Sequence, residues 1–287
     1  MDSSPTRRRF LQVAGVGAVA CAVSPRDAAL AASSSRAADA AAAALPFELG
    51  MASYTLRSFP IDQAIEMTKR LGLTRICFKD FHLKMDATAA EVAETVAKVK
   101  AAGLDLYAGG VIYMKTEAEV DRAFAYAKAA GMKMIVGVPT YELVAYTNRK
   151  VQEYDIPVAI HNHGPDNPLF PTPQSAYERI AGLDRRMGLC MDIGHTQRSG
   201  VDPSESAEKY IDRLLDVHVK DVSASTAKGT TVEIGRGVID IPKLMRTLKR
   251  VGYKGTLALE YEKDSKDPLP GSAESIGYLR GVLAALA

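Results

Sequence analysis

From Phe47 onward the chain alternates short, nearly continuous apolar runs with longer stretches in which apolar residues recur three or four positions apart. The first pattern belongs to strands buried on both faces and the second to amphipathic helices. Strands are expected near 48–53, 74–79, 105–112, 133–138, 156–161, 187–192, 214–219 and 255–260, with helices in the intervening segments IDQAIEMTKRLG, ATAAEVAETVAKVKAAG, EAEVDRAFAYAKAAG, SESAEKYIDRL and IPKLMRTLKRVG. Gly72, Gly103, Gly131 and Gly252 sit where these helices would stop. A left-handed residue there ends a helix and turns the chain into the next strand. Eight such units over about 240 residues predict an α/β fold, the closed (β/α)8 TIM barrel. The rival is an open, doubly wound sheet, which announces itself by a Gly-rich turn after the first strand. That turn here is SYTLRSFP, without glycine, and the later Gly235-Arg236-Gly237 has no strand leading directly into it. It is read as a flexible loop with Arg236 within reach of a substrate.

Several of the apolar runs break at once into polar, chemically active residues. GLCMDIGH delivers Asp192 and His195, VAIHNHG ends on His161 and His163, LLDVHVKD on His218 and Lys220, TLALEYE on Glu260, and RICFKDFH on Lys79 and His82. Any one of these, alone, reads as a helix cap, a turn residue or a satisfied core histidine. In a parallel barrel, however, the ends of all strands gather on one rim. His161, Asp192, His218 and Glu260, on the fifth to eighth strands, would then converge as a mixed nitrogen and oxygen set suited to one divalent Mn, Zn, Fe or Co ion. Such an ion is a Lewis acid toward a carbonyl. His163, Lys220 and Lys79 are the candidate acid/base residues, and His82, His195, Arg236 and Glu142 are candidates for holding a substrate. Glu142, opening the helix after the fourth strand, serves equally as a first-turn carboxylate or a further ligand.

Composition changes this picture little. The chain has 287 residues, 47% hydrophobic and 24% charged, an ordinary globular balance. Its N-terminus is different: TRRRFLQ precedes an apolar run, Val13 to Val23, and small residues around Ala29 to Ala31, the pattern of a twin-arginine export signal. The expected division is a signal over 1–31, an Ala-rich linker over 32–46 and a catalytic barrel over 47–287, with a periplasmic or exported location. Cys21 is an alternative lipid-attachment site, preceded by a poor match to the usual sequence. Without residues 1–31 the chain carries 32 basic and 32 acidic residues. That balance leaves no footprint for nucleic acid, and no membrane span is expected in the mature form. Cys77 and Cys190 fall inside expected strands and read as core thiols.

Taken together, AIHNHGP, GLCMDIGHT, DVHVKDV, GRGVIDIPKLM and LALEYE resemble the sugar phosphate isomerase/epimerase family of xylose isomerase-like barrels. The resemblance runs from about Phe47 to the end. It implies a divalent metal on the rim, with Asp192, His218 and Glu260 matching three of the usual four ligands, and a small-molecule sugar as partner. Where relatives such as tagatose epimerases carry Glu-Asn-His, this chain has His161-Asn162-His163, so the fourth ligand is either His161 or the more distant Glu142. A neutral imidazole in place of a carboxylate removes one negative charge and one of the paired carboxylates that carry a proton between sugar faces. The His-x-His is similar to that of inosose dehydratases. The implied chemistry is removal of a proton beside the carbonyl of a keto-sugar, followed by elimination or hydration, with isomerisation or epimerisation, or a sugar-binding barrel without catalysis, as alternatives. The superfamily's DNA-repair endonucleases need many more histidines than the five present. The sugar, the metal and whether the chain forms a homo-oligomer are left open.

Overall fold

The computed structural model describes residues 47–286; the twin-arginine segment, the Ala-rich linker and Cys21 lie outside them. Eight parallel strands close into a barrel in chain order: β1 (Glu48–Ala52), β2 (Arg75–Phe78), β3 (Asp105–Met114), β4 (Met134–Pro139), β5 (Val158–His161), β6 (Met187–Asp192), β7 (Leu214–Val219) and β10 (Thr256–Leu259), which pairs back onto β1. A two-stranded antiparallel hairpin, β8 (Asp221–Val222) with β9 (Thr231–Val232), stands apart from the barrel sheet. The barrel strands follow the apolar runs to within a residue or two at most ends. β4, β5, β6 and β10 are buried throughout, as strands with packed side chains on both faces must be.

Helices α1 (Ile61–Arg70), α2 (Ala89–Ala101), α3 (Glu117–Ala129), α4 (Val144–Tyr154), α5 (Pro173–Ile180), α6 (Ile193–Arg198), α7 (Pro203–Lys209), α8 (Ile241–Arg250) and α9 (Leu269–Ala284) follow the strands. Thr88 and Thr116 open α2 and α3 with capping boxes closed by Glu91 and Glu119, which satisfy backbone donors the first turn leaves free. At the other ends Gly72, Gly103, Gly131 and Gly252 take φ of 65°, 77°, 65° and 71°. A Cβ is disfavoured in that left-handed conformation, which is why glycine stands at these four stops. The SESAEKYIDRL segment is shorter as a helix than expected, since α7 gives way to a tight turn at Ile211–Arg213. Cys77 and Cys190 are buried free thiols within β2 and β6. Among the described residues no helix is long and apolar enough to cross a membrane.

Gly235-Arg236-Gly237 is organised by the buried Asp221, whose carboxylate accepts hydrogen bonds from the backbone N–H groups of Val222, Gly235, Gly237 and Ile239. Four donors converging on one carboxylate tie the loop to the barrel end, so the expectation of a flexible loop is corrected. Its tightness is sterically enforced: a Cβ on Gly237 would lie 2.1 Å from Asp221 Oδ1.

Arg213 is a second buried charge with a structural task. Its guanidinium donates to the carbonyls of Ala181, Leu183, Asp184 and Met187 at 2.6–3.1 Å, gathering the turn that follows α5. The carbonyls of Ala181 and Leu183 follow the end of α5, where backbone acceptors lack helical partners and carry the helix's negative end. Arg213→Met should therefore lower unfolding stability by about 3 kcal/mol or more, read by urea denaturation. A loss below about 1 kcal/mol would mean that water replaces the guanidinium without penalty.

Candidate metal centre and catalytic cavity

Parallel register brings the polar strand ends to one rim. Asp192 pairs directly with His218, His161 with Cys190 on the adjacent strand, and Glu260 follows the last residue of β10, its N–H donating to Val219 O at 3.0 Å. The result is a cluster in which one ligand atom each from His161, Asp192, His218 and Glu260 lies within 4.8 Å of the others, all four residues buried. His161 Nε2 is 3.5 Å from Asp192 Oδ2 and 3.9 Å from Glu260 Oε2, and His218 Nδ1 is 3.3 Å from Glu260 Oε2. His161 Nε2 and both ring nitrogens of His218 have no hydrogen-bond partner, and Asp192 Oδ2 accepts no hydrogen bond of good geometry although the Lys220 ammonium lies close to it. Buried polar atoms left in that state are costly. Several facing one another are what a bound cation would satisfy, so the donor set fits a divalent ion.

The charges agree. Lys220, 2% exposed, lies with its ammonium 2.9 Å from Asp192 Oδ2 and 2.7 Å from Glu260 Oε2, and it also pairs with Glu262. Burial opposes its charge, but the three carboxylates outweigh that and hold the amine well above its usual range. The same pairing, against burial, keeps the Asp192 and Glu260 carboxyls below theirs. Three carboxylates against one ammonium leave two negative charges uncompensated while the imidazoles are neutral; burial holds His161 below its usual value, whereas the carboxylates beside His218 outweigh its burial and raise it. A divalent ion balances that charge, and mixed imidazole and carboxylate donors suit Mn, Zn, Fe or Co.

The remaining positions are locked from outside the cluster. Asn162 receives the Asp192 N–H on Oδ1 at 3.0 Å and donates to Thr196 Oγ1, while Asp192 Oδ1 accepts from His195 N at 2.8 Å and caps α6. Only Oδ2 of Asp192 is thus left facing the cluster. Beneath it, Asp216 is fully buried in the barrel interior, takes a hydrogen bond from Tyr107 and lies 3.8 Å from His218 Nε2. Burial pushes its carboxyl up to about 6.

A cavity of about 210 Å3 opens beside the cluster, its wall including His161, His163, His195, Glu260, Glu262, Lys79, Tyr54 and Tyr113. His163 has both ring nitrogens engaged: Nδ1 faces His161 Nδ1 at 3.5 Å, and Nε2 is 2.7 Å from the Tyr113 hydroxyl. If His161 offers the lone pair of Nε2 to a cation, its Nδ1 carries the proton and donates to His163 Nδ1. His163 must then carry its own proton on Nε2 and donate to Tyr113. Burial, with the neighbouring imidazoles, lowers His163 to about 2, which keeps it neutral. Lys79 reaches the cavity wall with its ammonium 2.6 Å from Asp80.

Three expected substrate contacts lie elsewhere. Arg236 forms a two-pronged ion pair with Glu274 on the barrel's outer helix at 2.5 and 2.7 Å, because the Asp221-bound loop turns it away from the mouth. His82 is wedged against Phe78 and Phe81 with Nε2 3.1 Å from Phe59 O, on the wall of a different pocket. Glu142 is exposed on a short turn before α4 and is absent from the cluster; its carboxylate is lowered by its own backbone N–H and by Thr140. Of the two residues left open for the fourth position, His161 lies in the cluster and Glu142 does not. His195 does line the cavity. Glu262 was not anticipated, although LALEYE contains its signal: two residues past Glu260 is the same face of an extended chain.

The comparisons with known proteins agree on the barrel. The family described as "Xylose isomerase-like TIM barrel" matches residues 61–282. A rhizopine catabolism protein, MocC, of Rhizobium meliloti is 25% identical over 144 residues, 45% of this chain and 44% of that one. An inosose dehydratase of Histophilus somni is 29% identical over 150 residues, 45% of this chain and 50% of that one. The chain thus spans about half the length of these curated relatives. Among solved structures, the apo form of an E. coli 3-keto-D-glucoside 4-epimerase superposes with a TM-score of 0.68 at 16% identity, covering 82% of this chain and 98% of the other. At that identity the likeness is one of fold.

Proposed function

Because the chain belongs to the xylose isomerase-like TIM barrel family, whose relatives here include sugar-processing enzymes, we propose that it is a metal-dependent 3-keto-sugar lyase or hydratase. The observation that carries this reading is the buried quartet of His161, Asp192, His218 and Glu260, with unpartnered ligand atoms, beside a cavity whose wall also includes the Glu262 carboxylate. A divalent ion held by the four residues supplies Lewis acidity toward a carbonyl oxygen, which acidifies the neighbouring C–H.

The protein's own groups account for the proton movements. Glu262 lines the cavity with a carboxylate paired to Lys220, and it is the base that takes the proton from the carbon beside the carbonyl. The electron pair left on carbon forms the new C=C bond as the oxygen substituent two carbons from the carbonyl departs. Lys220, an ammonium between three carboxylates, donates the proton that the departing oxygen needs. Hydration is the same path reversed. His163, with both nitrogens committed to His161 and Tyr113, orients the ligand His161 rather than acting as base. Lys79, at the cavity wall, offers a hydrogen bond to a sugar hydroxyl. The naming of a curated relative as inosose dehydratase supports elimination over epimerisation.

The test is incubation of the purified protein with 3-keto-glucosides and with free ketoses in deuterated water, followed by NMR, alongside metal analysis. Loss or gain of an oxygen group with stoichiometric divalent ion is the expected result. Deuterium incorporation without that loss would replace the lyase with an epimerase or isomerase, and absence of any ion would remove the enzyme reading altogether.

A further inference from the structure

The cavity beside the quartet does not end at the rim. A second cavity of about 470 Å3 shares His195 and Glu262 with it and continues outward over Lys220, Arg198 and Lys263 to the β8–β9 hairpin, where Gly229, Thr230, Thr231 and Val232 form its far wall. The inner cavity, about 210 Å3, is below the ~300–1,000 Å3 typical of pockets that hold drug-sized ligands, which leaves room there for a single sugar ring. The outer one has room for a second. We propose that the physiological ligand is a neutral two-ring glycoside, its reacting ring in the inner cavity and its second sugar in the outer one against the hairpin. The assignment of the inner ring as a keto-sugar rests on the function proposed above.

Charge argues against a phosphorylated sugar. Each cation of the outer wall already has a carboxylate: Arg198 pairs with Asp166 and also donates to Ala227 O, Lys263 pairs with Glu233 at 2.8 Å, and Lys220 pairs with Glu262. Recognition of a phosphate uses cations free to make short, two-pronged contacts, and this wall has none in surplus among the described residues. What it offers suits a neutral ring. Thr231 brings a hydroxyl to this wall for the hydroxyls of a sugar, Thr230 Oγ1 being shared with Ser223 Oγ at 3.1 Å, and Val222 and Val232 provide apolar surface for the C–H faces. A further donor sits where the cavities meet. Arg198 Nη1 lies 3.4 Å from His195 Nδ1, and since a guanidinium only donates, Nδ1 accepts and Nε2–H of His195 remains as a donor at the junction.

Calorimetric titration of the purified protein with maltose, glucose, glucose 6-phosphate and the 3-keto forms of the two neutral sugars tests the proposal. The disaccharide should bind at least about tenfold more tightly than the monosaccharide in matched oxidation states, and glucose 6-phosphate no better than glucose. Thr231→Trp, which fills the outer cavity, should reduce the disaccharide advantage to about onefold, and the milder Thr231→Ala should reduce it in part. Equal affinity for one and two rings, preference for the phosphate, or an advantage untouched by Thr231→Trp would overturn it. If 3-keto forms bind no better than their parents, the keto-sugar reading fails by itself, while maltose against glucose still decides the two-ring question.

Discussion

Glu260→Gln should leave the purified protein without stoichiometric divalent ion and lower kcat/KM by about a thousandfold or more, roughly 4 kcal/mol of transition-state stabilisation. The size of the effect follows from position. Glu260 Oε2 lies 2.7 Å from the Lys220 ammonium, 3.3 Å from His218 Nδ1 and 3.9 Å from His161 Nε2, so one oxygen serves most of the cluster. An amide of the same shape keeps the packing but halves the anionic charge that the two carboxylates of the quartet bring to a cation. Elemental analysis of dialysed protein, with activity on the same preparation, gives the answer. A variant that keeps both its ion and its rate would show that the quartet is a structural hydrogen-bonding cluster.

Lys220→Met separates proton donation from ion binding. The substitution deletes the only ammonium among Asp192, Glu260 and Glu262 while leaving all four members of the quartet in place. Turnover of a substrate with a poor leaving group should fall by about a thousandfold, and a better leaving group, needing less protonation, should recover part of it. Stability should respond in the opposite sense to metal. Removing one partner from a buried ion network costs about 3–5 kcal/mol, so the metal-free variant should unfold at distinctly lower urea concentration than the metal-free parent. Added divalent ion should narrow that gap, because it neutralises the same carboxylates. Equal loss of activity for good and poor leaving groups would assign Lys220 a purely structural part.

Much of the barrel can be read from residue order because its cause is local. Apolar runs such as LALE and GLCMD are too short for helices and too continuous for a solvent-facing strand, and the four glycines that stop helices mark the turns between them. Eight repeats of that unit admit few closed arrangements. The quartet was equally legible once the barrel was assumed, since a parallel sheet sends every strand's C-terminal end to one rim. Glu262 and Asn162 were within reach of the same logic. Glu262 follows Glu260 by one alternation of the extended chain, and Asn162 lies between two histidines already singled out.

Other positions show where local pattern stops being informative. Arg236, His82 and Glu142 all stand next to strand ends or in glycine-rich turns, as genuine site residues do, yet Asp221 turns the Arg236 loop outward, Phe78 and Phe81 enclose His82, and Glu142 faces solvent. In the reverse direction, nothing in LLDVHVKD says that Lys220 is buried among three carboxylates, or that Asp216 sits beneath His218 inside the barrel. Periodicity and spacing, which act between neighbours in the chain, were enough to specify the cylinder, its rim and the convergence there of Asp192, His218 and Glu260, with the choice between His161 and Glu142 left open. Which charges share one buried volume, and which side chains reach the mouth, depends on Coulomb and packing contacts between residues as far apart as Thr55 and Tyr261, and only the closed barrel brings those together.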